Sequence, residues 1–478
     1  MKSNKIKTGI KGLDEILFGG FLPEQAYLLR GGPGTGKSTI GYRFLGKGTE
    51  LEEGTSLLIT LSESKENVIR NAASINIDLS RVSILDLSPE EHIYAEAQTY
   101  DVFPAEAIEA KPFIESIVEK VEELKPDRVL LDSVSMLKYM HQDPYQYRKV
   151  VLSFIRYTCN MGATVLIISE TESDGKESQV PFWVDGIINL SYKPGWRRIN
   201  VTKYRGSKFL TGDHSFKLGS KGPEVFPRIR PAQYNREFQS ELLTTGIKEL
   251  DHMLKGGIEK GTVNLVAGPT GVGKTSLGTQ FIKEAALRNE RSVLYTFEES
   301  ADIIIKRTSA IGIDLRDAIA SGNLKILSIE PLTYSPDEFS NIVRRDIEQN
   351  GTRVVMIDSV SAFRMSFAEE HPLKRLHALG VYLQNMGVTT FLINEAPNVS
   401  EGFQMTNMNA SYLADNILFL RYIEHSGELR KIIGVLKKRL GDFERTIREF
   451  KIDGSGLVLG TPMKNFQGLL TGNPTVTE

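Results

Sequence analysis

A single cysteine, Cys159, among 478 residues excludes an intrachain disulfide. One lone thiol suits a reducing cytoplasm and reads as a small core residue. The seven histidines show no ligand spacing, so no zinc site is expected. No apolar run approaches the roughly 18 residues needed to span a bilayer. The N-terminal Met-Lys-Ser-Asn-Lys is polar and leads into no signal-peptide apolar region. A cytoplasmic protein without a membrane segment is expected. Neither sign of charge dominates: 58 Lys and Arg face 60 Asp and Glu, a net charge of −2. That balance gives no global attraction to nucleic acid or to an anionic membrane. The rest is ordinary globular composition, 40% apolar and 25% charged, in a chain long enough for two or three domains.

Against this background, residues 31–39 read Gly-Gly-Pro-Gly-Thr-Gly-Lys-Ser-Thr. They fit the pattern G-x-x-x-x-G-K-[ST], with Gly31, Gly36, Lys37 and Ser38 at the fixed positions and Gly34, Thr35 and Thr39 completing the cradle. The apolar run 26–29 before them suits a buried strand, and the proline-free stretch to Leu51 reads as a helix. Glycines let backbone N–H groups face a polyphosphate, and the helix N-terminus adds partial positive charge. Lys37 is expected to reach the outer phosphates and the Ser38 hydroxyl to hold Mg²⁺. The pattern recurs at 268–276, with Gly268, Gly273, Lys274 and Thr275 fixed and Thr270, Gly271, Val272 and Ser276 around them. ATP and Mg²⁺ are therefore the expected cofactors.

The repeat is wider than the loop. Thr8-Gly-Ile-Lys-Gly-Leu-Asp14 returns as Thr245-Gly-Ile-Lys-Glu-Leu-Asp251, at the spacing that separates Lys37 from Lys274. Gly19-Gly20 likewise answers Gly256-Gly257. Two homologous domains follow, 1–235 and 236–478, with an exposed linker expected at 227–240 around Pro227 and Pro231. Each half continues with a strand (56–61 and 292–297), then a helix beginning near Lys65 and Asp302. Ile114, Ile117, Val118, Val121 and Leu124 recur at helical spacing. Apolar strands at 129–132 and 354–358 end in Asp132 and Asp358, and further strands are expected at 164–169 and 389–394. The pattern predicts an α/β fold with a mostly parallel sheet covered on both faces, binding its ligand at the carboxyl ends of the strands.

Asp132 and Asp358 stand where a carboxylate orients Mg²⁺ through water. Hydrolysis also needs a base to orient water, and Glu298 and Glu299 are well placed at a strand end. In the first half Ser62 occupies the place of Glu298, and only Glu63 remains.

The doubled core, the Thr-Gly-Ile-x-x-Leu-Asp lead-in, Thr-Phe-Glu-Glu-Ser at 296–300 and Ile-Asp-Ser-Val-Ser at 357–361 resemble the KaiC family. Its members are double-domain ATPases and autokinases of the cyanobacterial circadian clock, found also in bacteria without that clock. The resemblance covers nearly the whole chain. It implies two tandem RecA-like P-loop NTPase domains in a two-tiered homohexamer with ATP between neighbours. Lys203-Tyr-Arg205-Gly-Ser207 is similar to the family's Lys-x-Arg-Gly-[ST] segment, which reaches a neighbour's nucleotide. Lys437 and Arg439 correspond in the second half, where Leu440 replaces the glycine. Glu298 matches the family's general base, with Glu299 beside it, whereas Ser62 departs from that pattern. The family's phosphorylated Ser-Thr pair aligns with Ser411-Tyr412, which makes Ser411 the phosphoacceptor candidate. Residues 465–474 resemble the lead into the tail that KaiA grips; the chain stops soon after, so KaiA is not expected. The acidic stretch 88–109 occupies the region near which KaiB docks, so a KaiB-like partner is a candidate.

Two other classes stay open at this stage. A RecA-like recombinase or ring helicase needs basic loops for DNA. The loop 171–181 carries Glu172, Asp174 and Glu177 against Lys176, and 396–410 has no Lys or Arg, so DNA is not expected. A nucleotide-gated scaffold with little turnover is the third class, and Ser62 makes it credible for the first tier.

Overall fold

The computed structural model describes residues 5–50, 54–88, 110–140, 143–170, 180–193, 195–367, 372–395, 412, 414–425, 427–464, 466–467 and 475–476. Ser411, most of the 88–109 stretch, residues 171–179 and the loop 396–410 lie outside the described residues. The chain forms two units, Met1–Arg228 and Ile229–Glu478.

In the first unit the strands are β1 (Ala26–Gly31), β2 (Ser56–Thr60), β3 (Ser83–Asp86), β4 (Arg128–Asp132), β5 (Thr164–Glu170), β6 (Gly186–Lys193), β7 (Trp196–Tyr204), β8 (His214–Gly219) and β9 (Gly222–Phe226). They build one sheet in the order β3-β2-β4-β5-β1-β6-β7-β8-β9. Pairs from β3 to β6 are parallel, and β6 onward is an antiparallel meander. Strands buried on both faces need apolar residues at every position, and the central ones have them. Leu58, Leu130 and Leu166 pack in one core, while Leu57, Val129 and Val165, one residue earlier in each strand, pack in the core on the opposite face.

The second unit repeats this plan after a small pair, β10 (Leu242–Leu243) with β11 (Ile258–Glu259). Its strands are β12 (Val263–Gly268), β13 (Ser292–Thr296), β14 (Leu324–Ser328), β15 (Val354–Asp358), β16 (Thr389–Glu395), β17 (Asn416–His425), β18 (Glu428–Lys438), β19 (Arg448–Asp453) and β20 (Gly456–Pro462). The sheet order β14-β13-β15-β16-β12-β17-β18-β19-β20 is the first order with each strand replaced by its counterpart. Two nine-stranded, mostly parallel sheets flanked by helices are tandem RecA-like domains. In each, the central strand (β1 or β12) runs straight into the phosphate-loop sequence, so both loops sit at the carboxyl edge of a sheet.

The linker expectation needs correction. Residues 237–240 are exposed, but residues 229–236 dock onto the second unit instead of running free. Ile229 is buried in its core, and Tyr234 packs edge-on against Tyr382 with ring centroids 4.8 Å apart. The Asn385 side-chain amide donates to the Pro231 carbonyl at 3.0 Å, and the Arg236 N–H donates to the Asn385 carbonyl at 2.9 Å. Two large apolar side chains outweigh the local turn signal of the prolines, and the division falls at 228/229.

Candidate functional site

Each phosphate loop is shaped by a left-handed glycine that starts a helix. Gly36 (φ 96°) caps helix Lys37–Thr49, and Gly273 (φ 116°) caps helix Lys274–Leu287. A Cβ at Gly273 would stand 2.4 Å from Ile452, so this position also needs the space. Thr35 and Val272 are buried, and their side chains brace the loops from beneath; the Thr35 hydroxyl donates to the Gly32 carbonyl at 2.8 Å. Ser276 is buried and Thr39 half-buried behind the loops. Pro33, Gly34, Thr270 and Gly271 form the exposed tips. Lys37 donates to the carbonyls of Gly31 and Gly32 at 2.8 and 2.9 Å, and Lys274 to that of Pro269 at 2.8 Å. Burial lowers the pKa of both ammonium groups, and neighbouring carboxylates oppose the shift.

The helix hydroxyls meet the strand-end carboxylates. Ser38 donates to Asp132 at 2.8 Å, and Thr275 donates to Asp358 at 2.7 Å. Burial pushes the pKa of each aspartate up to about 6, against the hydrogen bond, which pulls it down. Such a carboxyl gains from a nearby cation. A hydroxyl beside a buried carboxylate, under a glycine cradle, is a donor set that fits Mg²⁺ with a nucleotide.

Beyond this the two sites diverge. Glu298 accepts a hydrogen bond from Ser359 at 2.6 Å and lies close enough to Asp358 to raise its pKa further. Glu299 is tied to Arg307 at 2.6 Å. Glu63 overlays on Glu299, since Thr60 and Thr296 each donate to the carbonyl three residues on, but its carboxylate accepts from Asn71 at 3.0 Å. Ser62, not a carboxylate, occupies the Glu298 position.

The expected fingers do not join the loop of their own unit. In the antiparallel ladder Ile199 pairs with Leu190, beside the loop, whereas Tyr204 pairs with Gly186 at the opposite edge of the sheet. At about 3.3 Å per residue, Lys203 stands roughly 13 Å and Arg205 roughly 20 Å along the strand from the loop edge. Lys203 donates to the Pro181 carbonyl at 2.9 Å, and Arg205 lies 3.7 Å from Asp185. The second unit matches: Lys437 donates to the Ala414 carbonyl at 2.6 Å, and Arg439 pairs with Asp415 at 2.8 Å. Arg205 and Arg439 are 59% and 57% exposed, so both guanidinium groups are open to another molecule. The missing glycine is compensated: Gly206 takes the left-handed turn in the first unit, and Gly441, one place later than Leu440, takes it in the second.

Two features escape a motif search. Glu170 and Glu395 end β5 and β16 directly opposite Gly31 and Gly268. Strands read as stopping at 169 and 394 leave these carboxylates out. The second is a cross-strand pair beside each loop tip. Tyr192 faces Arg197, and Tyr422 faces Lys431, each cation over its ring at 5.4 and 5.8 Å. Arg197 donates to the Gly34 carbonyl at 3.3 Å, and Lys431 to that of Gly271 at 3.4 Å. The residues are five apart in one hairpin and nine in the other, which hides the repeat from a linear reading. Next to the second pair a cleft of about 940 Å³ is lined by Lys431, Phe450 and Ile452 among others.

Comparison with known proteins agrees with this doubled geometry. A family model described as "ATPase: KaiC" matches residues 6–230 and again 243–464. The chain is 27% identical to the circadian clock oscillator protein KaiC of Parasynechococcus marenigrum, over 99% of this chain and 94% of that one. It is 28% identical to the protein of the same name in Prochlorococcus marinus subsp. pastoris, with the same coverage. It is 27% identical to circadian clock oscillator protein KaiC 1 of Synechocystis, over 98% and 92%. Among the described residues no helix is long and apolar enough to cross a membrane. Two P-loop units, matched one after the other along the whole length, make the chain a member of the KaiC ATPase family.

Proposed function

We propose that the protein is a homohexameric double ring whose first domain holds ATP chiefly for assembly and whose second domain hydrolyses it. The observation that carries this reading is the position of the fingers. Lys203, Arg205, Lys437 and Arg439 lie at the sheet edge away from their own loops in the same setting in both units, the two lysines half-buried and the two arginines exposed. Residues of that kind serve a nucleotide only when it belongs to another copy of the chain. There they neutralise charge building on the γ-phosphate.

In the second site Glu298 orients and deprotonates the attacking water, held by Ser359. Thr275 and Asp358 would hold Mg²⁺ there, and the ion would supply charge neutralisation for the phosphates. Ser38 and Asp132 play the same part in the first site. Ser62 removes the base there, which favours binding over turnover and supports a scaffold role for that tier. The Tyr192–Arg197 and Tyr422–Lys431 pairs flank the nucleotide's base and sugar. In the second domain Ser411 is the acceptor for autophosphorylation when its hydroxyl replaces water. The output is a signalling or timer role with a KaiB-like partner, by analogy with relatives named as clock oscillators.

Native mass spectrometry after incubation with ATP and Mg²⁺, followed by phosphosite mapping, tests the reading. A sixfold assembly with phosphate on Ser411 is expected. A monomer with ATP bound would overturn the ring, and absence of label would reduce the enzyme to an ATPase.

A further inference from the structure

The two phosphate loops differ at the third position, Pro33 in the first and Thr270 in the second. The Thr270 hydroxyl donates to Oε1 of Glu395. Glu395 is the last residue of β16, and its backbone lies opposite Gly268, the first residue of the loop, in a parallel ladder. Sheet register therefore delivers the carboxylate to the loop. Lys274 is folded onto the Pro269 carbonyl, one residue from Thr270. The negative charge of Glu395 acts on the Lys274 ammonium, as that of Glu170 does on Lys37. In the first unit Glu170 lies opposite Gly31 in the same way. Pro33 has no hydroxyl to hold it.

We propose that Glu395, held by Thr270, is a built-in competitor of the nucleotide's terminal phosphate at the second loop. A carboxylate and a phosphate oxygen compete for the Lys274 ammonium, and the Thr270 hydroxyl is what holds the carboxylate beside the loop. Both are anions, and one buried cation cannot neutralise both at close range. ATP must displace Glu395 to seat its outer phosphates, which sets the affinity of this loop below what its donors alone would give. ADP, with one phosphate fewer, meets less of this opposition. The second site thus discriminates against ATP relative to ADP more than the first does, and Thr270 is the residue that makes the difference. The inference rests on the reading of 268–276 as an ATP site.

Fluorescent mant-ATP and mant-ADP titrations of the full chain test it, in a Lys37→Ala background that leaves the second loop to report. Glu395→Gln keeps an oxygen to accept from Thr270 and removes the charge. It is expected to tighten mant-ATP about tenfold and mant-ADP less, with the gain shrinking as salt rises from roughly 0.05 to 0.5 M. Thr270→Val frees the carboxylate and is expected to tighten mant-ATP in the same direction. Unchanged or weaker mant-ATP binding in Glu395→Gln overturns the proposal, as does weaker binding in Thr270→Val, which would make the hydroxyl a phosphate ligand. Lys274→Ala separates the two levels: loss of binding there with no effect of Glu395→Gln sinks this inference alone, whereas retained binding sinks the ATP site itself.

Discussion

The Ser359 hydroxyl donates to the Glu298 carboxylate at 2.6 Å while its own oxygen accepts from the Ala362 N–H at 3.2 Å. Ser359 caps helix Val360–Ser366 directly after Asp358, so one residue links the carboxylate expected to orient the metal to the carboxylate expected to act on water. Glu298→Gln keeps the shape and the hydrogen bond but removes the base. Turnover should fall by about 10²–10⁴, the range of general-base contributions, with ATP affinity held. Steady-state phosphate release beside a binding titration checks this, and near-native turnover would remove Glu298 from the role.

The first domain offers the converse. Ser62 sits where Glu298 sits, over an otherwise equivalent Ser38–Asp132 pair. Lys37→Ala should therefore weaken ATP-dependent assembly more than it lowers turnover, while Lys274→Ala should do the reverse. Size-exclusion chromatography with ATP, run beside a phosphate-release assay, separates the two effects. Unchanged assembly in Lys37→Ala would contradict the division of labour.

Much of this was legible in one dimension. The loops, the two strand-end aspartates and the absence of a first-domain Glu298 equivalent are fixed by local sequence, because a phosphate loop is a local object. Glu395 was not, because its importance comes from register: it matters only once β16 lies beside β12. Tyr422 and Lys431 were hidden for the same reason, facing each other across a hairpin of different length from that of Tyr192 and Arg197. The linker reading failed at Ile229 and Tyr234, where tertiary burial overrode turn chemistry.

The paired Tyr422 and Lys431 make a further test possible. Lys431 lines the 940 Å³ cleft, and it stands over the Tyr422 ring beside the loop tip. Lys431→Ala and Tyr422→Ala should each weaken ATP roughly five- to thirtyfold, the effect of losing about 1–2 kcal/mol from a cation–π and packing contact. Tripolyphosphate, which lacks base and sugar, should be affected far less by Tyr422→Ala. Competition titrations of both ligands decide it; equal losses would place the pair on the phosphates instead.

Cys159 gives a pH-dependent readout of the first unit. Burial, with the negative charges of Asp185 and Glu24, pushes its thiol up to about 12 from an ordinary 9.0. The thiolate is the reactive form, so alkylation of the native protein at pH 8 should run about a thousandfold slower than in denaturant. The sign for stability follows from the same shift. The folded state keeps the proton that the unfolded chain releases, so this contribution is full below pH 9 and is lost as pH rises towards 12. Rapid native labelling by iodoacetamide at pH 8 would show that the thiol is not held in this environment.

The position of Arg439, far along β18 from its own loop, leads to a test that no single-chain site passes. A subunit carrying Arg439→Ala retains Glu298 but presents no guanidinium to its neighbour. A subunit carrying Glu298→Gln retains Arg439 but lacks the base. Each alone should be nearly inactive as an ATPase. Mixed before assembly, the two place an intact base against an intact finger wherever a Glu298→Gln subunit presents its Arg439 to the site of an Arg439→Ala subunit. Random mixing at equal amounts should form such a junction at about a quarter of the contacts, recovering a corresponding share of native turnover. A site completed within one chain would give no recovery at any ratio, because each subunit would carry its own defect into every assembly. Phosphate release measured across a mixing series, with assembly followed by size-exclusion chromatography, distinguishes a curve that peaks near equal amounts from a flat line.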